Sequence, residues 1–342
     1  MKSWRGTWIL RHELFRDPVL CAIKRPLTRG LTLREIQIDK FYGDHPHLQA
    51  FGEALLHQDM ATSTIRSYGY DLTEFFRWMT AARGDSAGPD KIEGIDIYRY
   101  RDYLLDERRL STATINRRLE SLRRFCRWAH QEKILKIDPT VEMRPIRKAK
   151  RYRPKGLKRR ETQALLRAAG VSSHGLSIRN YALVQLFLQT GLRVGEAAAL
   201  LVEDVVLRDR MGQITVRGKG EKQREVPLNA AARRGLSRYL ESRGEIAPNA
   251  PVFESSRGQA MSVRSMQHTV SVLAQRAKLD RITVSAHTLR HTFALEYLRD
   301  NPGKLVELAS LMGHESLDTT FLYTRPSMED LAESLERNER GR

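Results

Sequence analysis

Apolar residues recur at spacings of three and four along much of the chain, the period of helices with one buried face. Leu48, Phe51, Leu55 and Leu56 carry the pattern first. Past Ser63-Thr64, a second stripe runs through Ile65, Tyr68, Leu72, Phe75, Phe76 and Met79. Gly84 to Pro89 reads as a loop, and Ile95 to Leu104 predicts a third helix carrying Tyr98, Tyr100 and Tyr103. A fourth opens at Leu110-Ser111-Thr112, where a hydroxyl can cap free backbone N–H groups. It runs through Ile115, Leu119, Leu122, Phe125, Cys126 and Ala129, with Arg117, Arg118, Arg123, Arg124 and Arg127 on its other face.

The pattern changes after Met143. Residues 144–160, RPIRKAKRYRPKGLKRR, hold ten Lys or Arg and no acid, broken by Pro145, Pro154 and Gly156. Such a like-charged run repels itself and cannot be buried, so it predicts a linker between domains. Helical patterning resumes over 161–169 and over a strongly apolar stretch, Ser177 to Gln189, that stops at Gly191. Gly195-Glu196 starts another helix. Two β-like runs, 213–217 and 224–228, flank Gly218-Lys219-Gly220-Glu221 and predict a hairpin with Lys219 near its tip. Helices are expected over 229–243, 262–279, 287–299 and 304–312, with an extended piece at 251–253. A short helix over 319–323 would carry Tyr323, and a last amphipathic helix is expected over 328–337. The fold class is therefore mainly α with a small antiparallel β-sheet. The boundaries are a basic leader (1–44), a helical domain (45–143), the basic linker (144–160) and a second domain (161–342).

Charge narrows the function. Lys plus Arg number 59 against 41 Asp plus Glu, a net charge of +18. A balance that basic predicts a polyanionic partner, nucleic acid first, with a ribosome-associated or merely soluble basic protein as the alternative. The arginine face of the fourth helix fits either a solvated surface or a phosphate-facing one, and Arg117, Arg118 and Arg124 are candidate DNA contacts. So are Arg147, Lys148, Lys150, Arg151 and Arg153 of the linker. The leader holds nine Lys or Arg and five Asp or Glu. It reads as a poorly ordered basic segment, an over-extended start or an accessory DNA-binding arm. Cys21 and Cys126 are isolated, with no metal spacing, and no run approaches the ~18 apolar residues of a membrane span. No cofactor or metal is expected, and the expected location is the cytoplasm.

The chemistry concentrates between Ala286 and Tyr323. His287 and Arg290 lie three apart, one helical turn, on one face. Phosphodiester cleavage by a side chain needs a nucleophile, charge stabilisation on the non-bridging oxygens and a proton for the leaving oxygen. Tyr323 can supply the first, its phenol favoured as phenolate by nearby guanidiniums. Arg193 and Arg290 can supply the second, since a guanidinium stays charged and matches phosphate with two donors. His287 and His314 can donate or shuttle protons. Lys219 can protonate the departing 5′ oxygen, and Lys222 is the alternative for that role.

The motifs GLRVGE (191–196), RGKG (217–220), HTLRH (287–291), LMGH (311–314) and Tyr323 resemble, in order and spacing, those of the tyrosine recombinases, the phage-integrase family. STIRSY (63–68) and ATINRRLESLRRF (113–125) resemble that family's helical core-binding domain. The resemblance implies catalytic roles for Arg193, Lys219, His287, Arg290, His314 and Tyr323. It implies that Glu196 supports the Arg193 region and that His291 is structural. It further implies a two-domain clamp on duplex DNA and strand exchange through a 3′-phosphotyrosyl link and a Holliday junction. A homotetramer on two recombination sites goes with these, the 328–337 helix docking on a neighbouring protomer or packing in cis. An accessory DNA-bending protein or a partner recombinase is a further candidate. The leader is short for the arm-binding domain of bivalent phage integrases, which points to an Xer-like or mobile-element recombinase. Integration, excision, dimer resolution and transposon resolution all use the same site. A type IB topoisomerase, with the same tyrosine chemistry, and a non-catalytic architectural DNA-binding protein are the alternatives.

Overall fold

The structure, a computed structural model, describes residues 45–84, 88–147, 154–170, 175–218, 223–314 and 316–325, with positions 332 and 336. The leader, Cys21, Lys219, Lys222, Lys148, Lys150, Arg151, Arg153 and nearly all of the 328–337 segment lie outside these residues. The chain divides into two compact units, Met1–Ala149 and Lys150–Arg342.

The first unit is helical: α1 (Pro46–His57), α2 (Thr62–Arg83), α3 (Gly94–Asp102), which runs on into a π-turn (Tyr103–Glu107), and α4 (Thr112–Gln131). Ser111 caps α4, its hydroxyl accepting from the Thr114 N–H at 3.3 Å. The stripes meet in one core in which large rings pack edge to face. Phe51 and Phe125 lie 5.4 Å apart at 88°, and Phe75 and Tyr100 lie 5.0 Å apart at 78°.

The expected arginine face of α4 is narrower than its sequence suggests. Arg118 follows Ile115 by three and precedes Leu122 by four, so the helical period carries it into the buried stripe. It is 8% exposed, 3.9 Å from Asp71 and 3.5 Å from the Tyr100 hydroxyl. This corrects the expectation that Arg118 faces DNA. Its neighbour Arg117 is exposed, yet its guanidinium forks onto the buried Asp71, which also accepts from Ser121 at 2.8 Å.

The second unit packs around α6 (Gly175–Thr190), whose Ala182, Leu183, Val184, Leu186, Phe187 and Leu188 are all buried. A helix apolar on every side belongs in the middle of a core. It is flanked by α5 (Arg159–Gly170), α8 (Ala230–Arg243) and α10 (Ala286–Asp300). Between them run α7 (Val194–Ala199) and the antiparallel sheet β1 (Val205–Leu207), β2 (Gly212–Arg217) and β3 (Gln223–Pro227), in the order β1-β2-β3. After α9 (Val263–Arg276) and α10, the short α11 (Leu305–Met312) and α12 (Leu317–Phe321) close the described chain. Asn229, Ser262 and Ser285 cap α8, α9 and α10 with their side chains.

The mainly helical architecture with a small antiparallel sheet agrees with the sequence reading. Two details differ. Strand β1 was not expected, because three residues are too few to show a period and its pairing with β2 is a tertiary event. Tyr323 lies two residues beyond α12, in a turn where its N–H donates to the Thr320 carbonyl at 3.0 Å, rather than within that helix. Among the described residues no helix is long and apolar enough to cross a membrane.

Candidate active site

The site is assembled on the C-terminal end of α11. A helix leaves its last carbonyls without intrahelical donors, and its dipole makes that end negative. Gly313 terminates α11 in the left-handed conformation, φ 64°. Three arginines from distant parts of the unit supply the missing donors. Arg224 Nε donates to the Leu311 carbonyl at 3.2 Å, Arg290 Nη2 to Met312 at 3.0 Å, and Arg193 Nη2 to Gly313 at 2.9 Å.

Each arginine is set by its own element. α6 stops at Gly191, φ 62°, where an added Cβ would lie 2.3 Å from the Phe293 ring, so the turn requires glycine in both conformation and space. Two residues on, Arg193 precedes α7, and Glu196 in the first turn of α7 folds back to accept from the Arg193 N–H at 2.7 Å and from its Nη1 at 2.9 Å. Arg193 remains 48% exposed in its side chain. Arg290, on α10, is 2% exposed and also donates Nη1 to the Gly191 carbonyl. Burial, then the charge of Arg193, brings Arg290 down to about 10.

The imidazoles fill the space between. Arg290 Nη2 lies 2.8 Å from His314 Nε2. A guanidinium can only donate, so Nε2 accepts, and the proton sits on Nδ1, 2.7 Å from the Thr320 hydroxyl. His314 is held at about 4, by burial first and then by Arg290 and Arg193. His287, one turn before Arg290, is exposed at the rim, and desolvation together with Arg290 and Arg193 keeps it below its ordinary value. His291 is buried against it, ring centroids 4.2 Å apart. Burial, then His287, Arg290 and His314, holds His291 at about 4.

Tyr323 is 7% exposed and packs with Ala294, Leu308 and Met312. Its hydroxyl lies 2.8 Å from His291 Nδ1. The structure thus brings Arg193, Glu196, His287, Arg290, His291, His314 and Tyr323 together; Lys219 and Lys222 are outside the described residues. Elsewhere, Arg124 is half-buried and bonded to Gln58 at 2.9 Å, and Arg147 is exposed. Among the described residues no cluster of three or more His, Cys, Asp or Glu could hold a metal ion.

The sequence reading missed Arg224. Its guanidinium grips Glu196 with both arms, Nη1 to Oε1 at 2.9 Å and Nη2 to Oε2 at 3.0 Å. A signal was present in the strand alternation. Val226 faces the core, so Arg224, two residues earlier, shares that face and must find a buried acid.

The chain has relatives among known proteins. The Phage integrase family profile matches residues 155–330, and that of the Phage integrase N-terminal SAM-like domain matches 48–133. Tyrosine recombinase XerD of Ralstonia nicotianae is 33% identical over 290 residues, covering 83% of this chain and 91% of the relative. Tyrosine recombinase XerC of Thermodesulfovibrio yellowstonii is 33% identical over 283 residues, covering 80% and 89%. Among solved structures, XerH site-specific recombinase bound to palindromic difH substrate shares the fold with a TM-score of 0.69 at 21% identity, covering 91% of this chain and 96% of that one. A lambda integrase dimer bound to a COC' core site shares it with a TM-score of 0.63 at 19% identity, covering 82% and 94%. The chain belongs to the phage integrase family: it is a tyrosine recombinase, an enzyme that breaks and rejoins DNA strands in site-specific recombination.

Proposed function

We propose that Tyr323 is the nucleophile of this reaction, and that Arg193, Arg290, His287 and His314 bind the scissile phosphate. One observation carries the reading: these basic side chains crowd one another around a tyrosine hydroxyl, and Arg290, His287 and His314 are all pushed toward their neutral forms. A phosphodiester placed among them relieves that repulsion, and its rising charge in the transition state is met by guanidiniums already in position, while His314, whose Nε2 accepts from Arg290 beforehand, donates only once it has taken up a proton.

Tyr323 attacks the phosphorus, forming a 3′-phosphotyrosyl ester and releasing a 5′ oxygen that takes a proton from Lys219. The hydroxyl of a partner strand then attacks the ester and expels the tyrosine, so no external energy source is consumed. His291 holds the phenol beforehand. An ordinary phenol keeps its proton until pH ~10, and an imidazole held at about 4 does not take it. Entry of the phosphate brings the negative charge that raises the basicity of the imidazole.

In this reading residues 45–143 and 161–342 close on duplex DNA, joined by the basic linker of 144–160. Four protomers act on two sites through a Holliday junction in the cytoplasm, and the 328–337 segment, which lies almost wholly outside the described residues, docks on a neighbour or packs in cis. The likeness to XerD and XerC relatives supports an Xer-like or mobile-element task as the favoured one. The test uses nicked duplexes from DNA flanking the gene. Wild-type protein forms a covalent adduct that survives denaturing electrophoresis, and Tyr323→Phe forms none. Salt-dependent binding to the same duplexes without any adduct would refute the catalytic reading in favour of an architectural protein.

A further inference from the structure

Arg224 lies in the cluster with its donors turned to the protein's own acceptors. Its side chain is 18% exposed, against 48% for Arg193. It sits on β3 opposite Val216, on the core-facing side of the sheet. Three of its donors are committed: Nη1 and Nη2 to the two oxygens of Glu196, and Nε to the Leu311 carbonyl.

The consequence falls on Glu196. A carboxylate has about four lone-pair sites. Here Oε1 accepts from Nη1 of both Arg193 and Arg224, and Oε2 accepts from the Arg193 backbone N–H and Arg224 Nη2. Burial pushes the Glu196 carboxyl up, but the hydrogen bonds from Arg224 and Arg193 overcome it and keep the group ionised. With Arg224 in place, Glu196 takes a single side-chain donor from Arg193. Without Arg224, both oxygens are open to a two-pronged pairing with Arg193, the geometry that carboxylate and guanidinium favour. Arg193 would then turn into the protein and present fewer donors outward.

We propose that Arg224 is a positioning residue for strand cleavage: it saturates Glu196 and ties it to the end of α11, and so fixes the direction in which Arg193 presents its guanidinium. The proposal rests on the assignment of Arg193 to the scissile phosphate. It also places a strand of the hairpin and the end of α11 under one guanidinium, so that β3, α7 and α11 move together.

The test compares wild type, Arg224→Gln and Arg224→Lys on two nicked duplexes. One is the duplex on which wild type forms its tyrosyl adduct. The other is the same duplex with an uncharged methylphosphonate at the scissile position. A misdirected donor costs about 10²-fold in rate, so Arg224→Gln should bind the phosphodiester duplex as wild type does and cleave it about that much more slowly. The neutral linkage needs Arg193 less, so the deficit should largely vanish there. A defect of general folding would slow both duplexes equally. Arg224→Lys keeps the charge without the planar fork and serves where the Gln variant does not fold; it should show the same pattern. Wild-type rates for either folded variant on the phosphodiester, or equal deficits on both duplexes, would overturn the proposal. Failure of wild type itself to form the adduct would instead remove the functional reading beneath it.

Discussion

His291 Nδ1 lies 2.8 Å from the hydroxyl of Tyr323, across 32 residues of chain. The ring is buried between His287 and the tyrosine, and its Nε2 has no hydrogen-bond partner among the described residues. A buried polar atom left without a partner costs about 1–3 kcal/mol, so the position is more expensive than packing alone requires. His291→Ala should therefore leave DNA binding unchanged and slow formation of the tyrosyl adduct, whereas His291→Gln, which restores a polar group near the phenol, should recover part of the rate. Single-turnover cleavage of a nicked duplex measures both. A His291→Ala rate equal to wild type would show that the contact is only packing.

Acid should destabilise the protein before its carboxylates titrate. His291 and His314 are held at about 4, against ~6.5 for a free imidazole. Below about pH 6.5 the unfolded chain binds protons that the folded chain refuses, and this favours unfolding. Stability carried by these rings is full above pH 6.5 and is lost progressively as pH falls towards 4. Thermal melting across that window should show Tm falling with pH, and the slope should be shallower in His314→Gln.

Gly191 is irreplaceable for two independent reasons. Its φ of 62° costs a residue with a Cβ about 1–2 kcal/mol, and that Cβ would enter the Phe293 ring. The Gly191 carbonyl also receives Arg290 Nη1. Gly191→Ala should lower Tm and reduce cleavage more than it reduces DNA affinity, as melting curves and adduct yields at saturating protein would show.

Arg290 combines structural and chemical duties. Its side chain bridges the Gly191 turn, the end of α11 and His314. Arg290→Lys keeps a charge but cannot span three acceptors with a planar fork. The cleavage rate should fall about 10²–10³-fold, the typical effect of losing a preorganised donor. Single-turnover rates on the nicked duplex give the size of the loss.

On α4, Arg118 and Arg127 separate folding from binding. Arg118 is buried beside Asp71 and Tyr100, while Arg127 is exposed. Arg118→Ala should lower Tm with little change in the salt dependence of DNA binding. Arg127→Ala should leave Tm unchanged and reduce the slope of log affinity against log salt by about one. Titrations at several salt concentrations decide between them.

The sequence alone determined the features that are settled within a few residues. The apolar stripes of α1, α2 and α4, the central α6, and the cap at Ser111 follow from period and local hydrogen bonding. The motif residues stood out too, because their types, order and spacing resemble those of the tyrosine recombinases. What only the tertiary structure decided is who meets whom. Arg193 reaches Gly313 across 120 residues, Arg290 reaches Gly191 across 99 and Arg224 reaches Leu311 across 87. No local pattern encodes such pairings; they form because folding leaves the carbonyls of α11 short of donors and Glu196 short of cations. The same reason explains where Arg118 and His291 came to lie. Arg118 turned inward because Asp71 of α2 lies there, and His291, expected as a structural residue, came to rest on the tyrosine because α10 and the turn after α12 share one small apolar cluster.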